Sequence, residues 1–274
     1  IDQMNKIDPV YSVPDGFDQP VQGRKYGKVE TIFYDSTTTE ATRKASVLLP
    51  AEYDDKKIYP VLYLLHGIGG DHREWLEGTP QYVIGNLVAE GKARDMIVVM
   101  PNVRARKDDR VPEDVYCLAN TTAFDNFIHD LRDDLMPYIE EEYPVAEGRE
   151  NTSVAGLSMG GREALYIGIT MADRFGSIGA FCPAFGIFAY EDILSEPGLF
   201  TRETLKLPDS YNGKTFLMIC TGDRDEVVKE NPQMYHEALE ENGTEHLYYV
   251  TEGGHDFEVW KHGLYQFAKR IFQR

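Results

Sequence analysis

Cysteine is scarce in this chain of 274 residues: there are three, an odd number that cannot all pair. Cys182 and Cys220 fall in or just after apolar strand-like runs, where a reduced buried thiol is the ordinary finding. No disulfide framework is therefore indicated. Basic side chains are also in short supply, 28 against 46 acidic ones, for a formal charge of −18. A polyanion needs clustered Lys and Arg, so this balance argues against a nucleic-acid partner and favours a neutral or modestly charged substrate. No apolar run approaches the roughly 20 residues that cross a bilayer, so no membrane association is expected. An H-E-x-x-H pair, a cysteine ligand cluster and a G-x-x-x-x-G-K-[ST] loop are all missing, and neither a metal nor a cofactor is expected. The chain opens on Ile1 rather than Met with no signal peptide ahead of it, as expected of a processed protein or a piece of a longer one.

What is present supports a large core: 42% of residues are hydrophobic and 12% aromatic, which suits one α/β domain. Residues 1–25, rich in Pro, Gly and Asp, are expected to form an extended arm ahead of a single domain over 26–274. Residues 28–34 and 44–49 alternate like an edge hairpin around a turn at 35–42. Residues 60–65 form a continuous apolar run of the kind buried on both faces, repeated at 96–100, 153–155, 216–220 and 247–250. Apolar spacing of three and four predicts helices over 81–90, 124–142, 159–172, 232–242 and 257–272. The alternation predicts a mostly parallel central sheet flanked by helices on both faces. Two polar stretches, 102–122 and 183–212, follow strand ends, where open α/β sheets place their crevice; they read either as site walls or as surface insertions.

Gly156-Leu157-Ser158-Met159-Gly160 joins one such strand to a helix. A G-x-S-x-G turn strains the serine backbone and lifts Oγ into the open, which makes Ser158 the candidate nucleophile. A serine hydroxyl needs a base, and His255 lies on the short loop between the last strand and last helix. The imidazole in turn needs a carboxylate, and Asp225 follows the 216–220 strand, ahead of its rivals Asp223 and Glu226 on the same loop. Each motif alone has a bland reading as a packing turn, a solvated loop or a capping histidine. The order Ser158, Asp225, His255, with each at a strand end, is that of an α/β-hydrolase. Acyl transfer also needs two amide donors for the oxyanion, and Ile68 and Met159 are the candidates. His66 is read as a brace for the Ile68 loop rather than a catalytic base.

Three segments together, Tyr63-Leu-Leu-His-Gly-Ile-Gly-Gly70 with Trp75, Ala155-Gly-Leu-Ser-Met-Gly-Gly161, and Gly253-Gly-His-Asp-Phe-Glu-Val-Trp260, resemble the putative-esterase family of α/β-hydrolases. Within it the chain is most similar to the feruloyl and acetylxylan esterases of carbohydrate esterase family 1, found in cellulosomal xylanases. The likeness runs from Tyr26 to Phe272, and its motifs match in order and spacing. It implies an α/β-hydrolase fold, with Ser158 as nucleophile, His255 as base, Asp225 as its partner, Ile68 and Met159 as oxyanion donors, and no cofactor. It also implies feruloylated or acetylated xylan or arabinoxylan fragments as substrates, secretion, and other modules of a larger polysaccharide-degrading enzyme. Arg162-Glu163 stands where relatives usually carry a small or uncharged pair, and Cys182-Pro-Ala-Phe-Gly-Ile-Phe188 also departs. Both fall near the expected acyl pocket and bear on substrate more than on chemistry.

Trp75 and Trp260 are candidates to line that pocket, with core packing as the favoured alternative. For Phe185, Phe188 and Tyr190, pocket and core are weighed evenly. The resulting expectation is a serine carboxylesterase, feruloyl first and acetylxylan second. An acyltransferase using the same machinery and a non-catalytic carbohydrate-binding module on a hydrolase scaffold are the alternatives.

Overall fold

Successive side chains of a strand point to opposite faces, so an apolar run buried throughout must serve two cores at once. In the computed structural model, which describes residues 8–189 and 198–273, β3 (Val61–Leu65) does this. Val61, Tyr63 and Leu65 join one hydrophobic cluster, while Leu62 and Leu64 join another. The sheet has eight strands in the order β1-β2-β4-β3-β5-β6-β7-β8. The others are β1 (Val29–Ser36), β2 (Ala41–Leu48), β4 (Ile97–Pro101), β5 (Thr152–Leu157), β6 (Ser177–Phe181), β7 (Phe216–Gly222) and β8 (Leu247–Thr251). β1 and β2 form the antiparallel hairpin, β2 is antiparallel to β4, and the remaining neighbours are parallel.

Helices cover both faces. Four pack against the first cluster: α2 (Leu118–Asp130), α3 (Met136–Glu142), α4 (Met159–Thr170) and α5 (Asn231–Glu241). α1 (Pro80–Ala89) and α6 (Phe257–Ala268) pack mainly against the second. The sheet is thus an α/β-hydrolase sheet, with the long loops at the C-terminal ends of its parallel strands.

Some boundaries differ from expectation. β6 is the strand-like run expected just ahead of Cys182, but it was given no bounds above, because Ser177-Ile-Gly-Ala-Phe181 is poor in bulky apolar residues. Phe267 is the reason: a Cβ on Gly179 would lie 2.8 Å from its ring. The helix expected to begin at 124 begins at Leu118, inside the supposed loop, and a π-helical turn at Leu131–Leu135 separates it from α3. The last helix stops at Ala268. Residues 8–25 lie across α1 and α6. Tyr11 stacks on Tyr249, Asp18 pairs with Lys261 at 2.7 Å, and Asn86 donates to the carbonyls of Phe17 and Gln19.

The edge hairpin is tied to the body by buried charge. Asp130 accepts from Tyr34 Oη and Ser36 Oγ, both at 2.5 Å, and lies 3.5 Å from Arg43 Nε. Arg43 also donates to the Asn102 and Arg104 carbonyls, fixing the loop that leaves β4. Asp109, 3.0 Å from Arg43 Nη1, remains as countercharge when Asp130 is removed, but the buried Tyr34 and Ser36 hydroxyls lose their acceptor. Asp130→Ala is therefore expected to lower unfolding free energy by about 1–3 kcal/mol for each buried hydroxyl left unsatisfied, read from urea denaturation at neutral pH.

Candidate active site

At the turn from β5 into α4, Ser158 adopts φ 51° and ψ −116°, a strained backbone for a residue with a Cβ. Its flanking glycines are required by contact. A Cβ on Gly156 would lie 2.3 Å from the Gly160 carbonyl oxygen, and one on Gly160 would lie 2.3 Å from that of Leu65. Only hydrogen fits at either place, so the elbow and the loop after β3 press together.

Beyond β7 and β8 the chain stays paired. Asp223 N donates to the Thr251 carbonyl, and the Asp223 carboxylate accepts from Gly253 N at 2.9 Å. Asp223, a rival for the acid role, thus serves as a strut between the two loops. Asp256 caps α6 by accepting from the amides of Glu258 and Val259, which fixes His255 immediately before it. Glu226, the other rival, is exposed, whereas Asp225 is buried.

The three side chains converge. His255 Nε2 lies 2.8 Å from Ser158 Oγ, and His255 Nδ1 lies 2.7 Å from Asp225 Oδ2. Oδ1 of Asp225 accepts from the amides of Val227 and Val228, each at 2.9 Å. Burial alone would raise the Asp225 carboxyl, but the hydrogen bond from His255 and the two amides hold it below the ordinary carboxylate value. It is an anion whose side chain is 1% exposed, aimed at an imidazole 13% exposed. Such an arrangement holds Nδ1–H toward the carboxylate and leaves Nε2 free to take the hydroxyl proton.

The candidate oxyanion donors are set by their carbonyls. Across a trans peptide the C=O and N–H point in opposite directions. The Gly67 carbonyl accepts from His66 Nδ1 at 2.6 Å and from Gly70 N, which turns Ile68 N–H the other way. The Ser158 carbonyl accepts from Arg162 N and Ala184 N, which does the same for Met159 N–H. Among the described residues neither amide has an acceptor, and both residues line one cavity with Ser158 and His255. That cavity is about 240 Å³, walled by Ile68, Tyr116, Phe185, Val227 and Trp260.

Phe185 and Trp260 therefore do line the pocket. Trp75 does not, and its candidacy is corrected. It lies beneath, 1% exposed, donating Nε1 to the Leu65 carbonyl at 2.8 Å with its ring against the edges of Phe181 and Phe257. So large an aromatic is worth more as core than as wall. Phe188 packs on Tyr235, and Tyr190 lies outside the described residues.

Several supports were not legible in the sequence. Fully buried Arg104 donates to the Ile68 and Gly70 carbonyls, and Asn120 joins it at Ile68. Glu74 accepts from Gly67 N at 2.8 Å and borders the pocket. Arg162 reaches Asp125, Glu163 and the Gly186 carbonyl, so the unusual pair braces the pocket wall from behind. Burial and the charge of Asp125 raise the Glu163 carboxyl well above its ordinary value, despite Arg162. Any signal for these contacts was confined to polar residues in a stretch after a strand.

Fold and site together define an α/β-hydrolase carrying a Ser-His-Asp arrangement. The family model described as "Putative esterase" matches residues 36–271, and the chain belongs to that family. A ferulic acid esterase from Anaeromyces mucronatus, solved in complex with ferulic acid, is 36% identical, with a TM-score of 0.90 over 97% of this chain and 98% of that one. The endo-1,4-beta-xylanase/feruloyl esterase of Xylanibacter ruminicola is 29% identical over 90% of this chain and 32% of its own. This chain thus spans about a third of that curated relative. An acetyl esterase of Caldicellulosiruptor saccharolyticus is 23% identical over 78% of this chain and 86% of its own.

His66 gives the site a pH signature. Its Nε2 accepts from Val103 N at 2.8 Å, and burial, outweighing the other influences, pushes its pKa down to about 3. An unfolded chain protonates the same ring near 6.5. Between these values the unfolded state holds the extra proton, so stability is complete above about pH 6.5 and falls as pH drops toward 3. The expected slope from this group is at most about 1.4 kcal/mol per pH unit. Urea midpoints of wild type and His66→Gln from pH 7 to 4 check it: the variant should lose less per unit, and equal slopes would refute the assignment.

Proposed function

We infer that this protein is a serine carboxylesterase whose preferred substrate is a feruloyl ester of arabinoxylan, with acetylated xylan next. The observation that carries the reading is the unbroken relay from Asp225 through His255 to Ser158 Oγ, opening on an aromatic-walled cavity. Ser158 Oγ attacks the ester carbonyl while His255 Nε2 takes its proton, and the amides of Ile68 and Met159 receive the developing oxyanion. Collapse expels the sugar alcohol, which takes the proton back from His255 and leaves an acyl-enzyme. Water, deprotonated by the same imidazole, then releases the acid. Asp225 stabilises the imidazolium at both stages.

Two features support an aromatic acyl group. Trp260, Phe185 and Tyr116 offer faces and edges to a planar ring, and a 240 Å³ cavity would be largely empty around an acetyl group. The named activities of the Anaeromyces and Xylanibacter relatives agree. Residues 26–274 are read as one catalytic domain and 1–25 as its arm, of which the described part, 8–25, lies over α1 and α6. Its relatives' long chains suggest companion modules, and the substrate implies secretion.

Ser158→Ala and His255→Ala are each expected to cut turnover by about a millionfold, because members of such a relay act as a unit. Circular dichroism should remain native. A folded Ser158→Ala protein that still hydrolysed phenolic esters at near-normal rate would defeat the mechanism. For the substrate, kcat/KM on methyl ferulate should exceed that on acetylated xylan and on a nitrophenyl acetate; the reverse ranking would move the assignment to acetyl esters.

A further inference from the structure

Away from the triad, a second group of ligating side chains converges. His236 and Glu240 lie four residues apart on α5, hence on one side of the helix. His246, just ahead of β8, meets them, and one ligand atom from each of the three lies within 4.8 Å of the others. His236 Nδ1 and His246 Nε2 are 2.7 Å apart. His246 Nδ1 lies 2.8 Å from the Thr244 carbonyl. A carbonyl only accepts, so Nδ1 carries the proton and Nε2 turns its lone pair to the cluster. This far-side carbonyl is the outer support that metal-bound histidines ordinarily have. The His236 ring is held as well, stacked on Tyr248 at 4.2 Å and 11°.

We propose that His236, Glu240 and His246 form a binding site for one divalent transition-metal ion of the zinc type. Two imidazole nitrogens with one carboxylate suit Zn²⁺, Co²⁺ or Ni²⁺, whereas Ca²⁺ and Mg²⁺ require oxygen-rich shells. On binding, the ion takes the place of the proton shared by the two rings. The proton leaves His236 Nδ1 and is regained from solvent at its Nε2, so both rings stay neutral; His236 Nδ1 and His246 Nε2 donate their lone pairs to the metal, and Glu240 adds a carboxylate oxygen. Water completes four-coordination. With metal–nitrogen distances of about 2.0–2.1 Å, tetrahedral ligand nitrogens sit about 3.3 Å apart. From their 2.7 Å contact the rings need to part by only about 0.6 Å.

Glu240 is the cluster's own carboxylate, and the neighbouring cation, Arg202, is engaged by Glu241 at 2.9 Å and by Glu237 at 3.8 Å. An ion here pins the end of α5 to the start of β8, the end of that strand opposite His255. Its role is structural, and hydrolysis does not depend on it.

The test is titration of the chelator-treated full chain with zinc chloride by calorimetry and thermal melting. One ion per chain is expected, with Tm raised by about 5 °C at a hundredfold excess over Kd and no rise with Mg²⁺ or Ca²⁺. His246→Gln should weaken binding at least about 50-fold and Glu240→Gln, at an exposed position, about 5- to 10-fold. Ester hydrolysis should be unchanged in both. Absence of stoichiometric binding, or equal affinity in wild type and Glu240→Gln and His246→Gln, overturns the proposal. So does zinc that inhibits hydrolysis and whose binding is lost in Cys182→Ser, since Cys182, Asp225 and His255 also lie within 4.8 Å of one another.

Discussion

The active-site geometry rests on a single close passage of backbone. Gly160 runs so near the carbonyls of Leu65 and His66 that a Cβ would sit 2.3 and 2.5 Å from their oxygens. This contact sets the nucleophile beside the loop that carries Ile68. It also holds Ser158 in a conformation costing roughly 1–3 kcal/mol. The cost is borne by the strand and helix on either side, since each fully buried apolar side chain such as Val154, Leu157 and Leu165 contributes about 1.5–3 kcal/mol. A strained serine survives because rigid, well-packed elements leave it no other course.

The pocket's donors are prepared in the same way, by fixing what lies behind them. Peptide groups in a loop rotate freely unless their carbonyls are held. Here His66 and Gly70 N hold the Gly67 carbonyl, while Arg104 and Asn120 hold that of Ile68. Burial brings the Arg104 pKa down only to about 10, so it remains a cation at neutral pH. His66, by contrast, stays neutral and can therefore accept from Val103 N while donating to Gly67. Donors fixed before substrate arrives need no reorganisation during reaction, which is where electrostatic stabilisation gains most.

What could be read from the sequence was local. The apolar runs, the G-x-S-x-G turn and the order of Ser158, Asp225 and His255 depend on neighbours within a few residues, and the strands and the convergence follow from them. The oxyanion loop's clamp depends on Arg104 meeting Ile68 and Asn120 meeting it again, contacts 36 and 52 residues apart in the chain. No periodicity marks such residues. The bounds of β6 were obscured because Phe267 leaves no room for a side chain at Gly179, and the start of α2 because Asn120 is buried to serve the loop rather than the core. Trp75 illustrates the converse, an aromatic near a motif in sequence but placed under it by a hydrogen bond to Leu65.

The Arg162-Glu163 pair shows how a residue outside the pocket bears on what the pocket accepts. Both side chains are fully buried behind the elbow, where an isolated charge would be prohibitive. Asp125 supplies the countercharge for Arg162, and burial with the charge of Asp125 pushes the Glu163 carboxyl well above its ordinary value. What remains directional is the guanidinium's hydrogen bond to the Gly186 carbonyl, next to Phe185 of the wall. A smaller, uncharged pair could not make that bond. The pair therefore bears on the backbone of the wall, and none of its hydrogen bonds reaches the relay from Asp225 to Ser158.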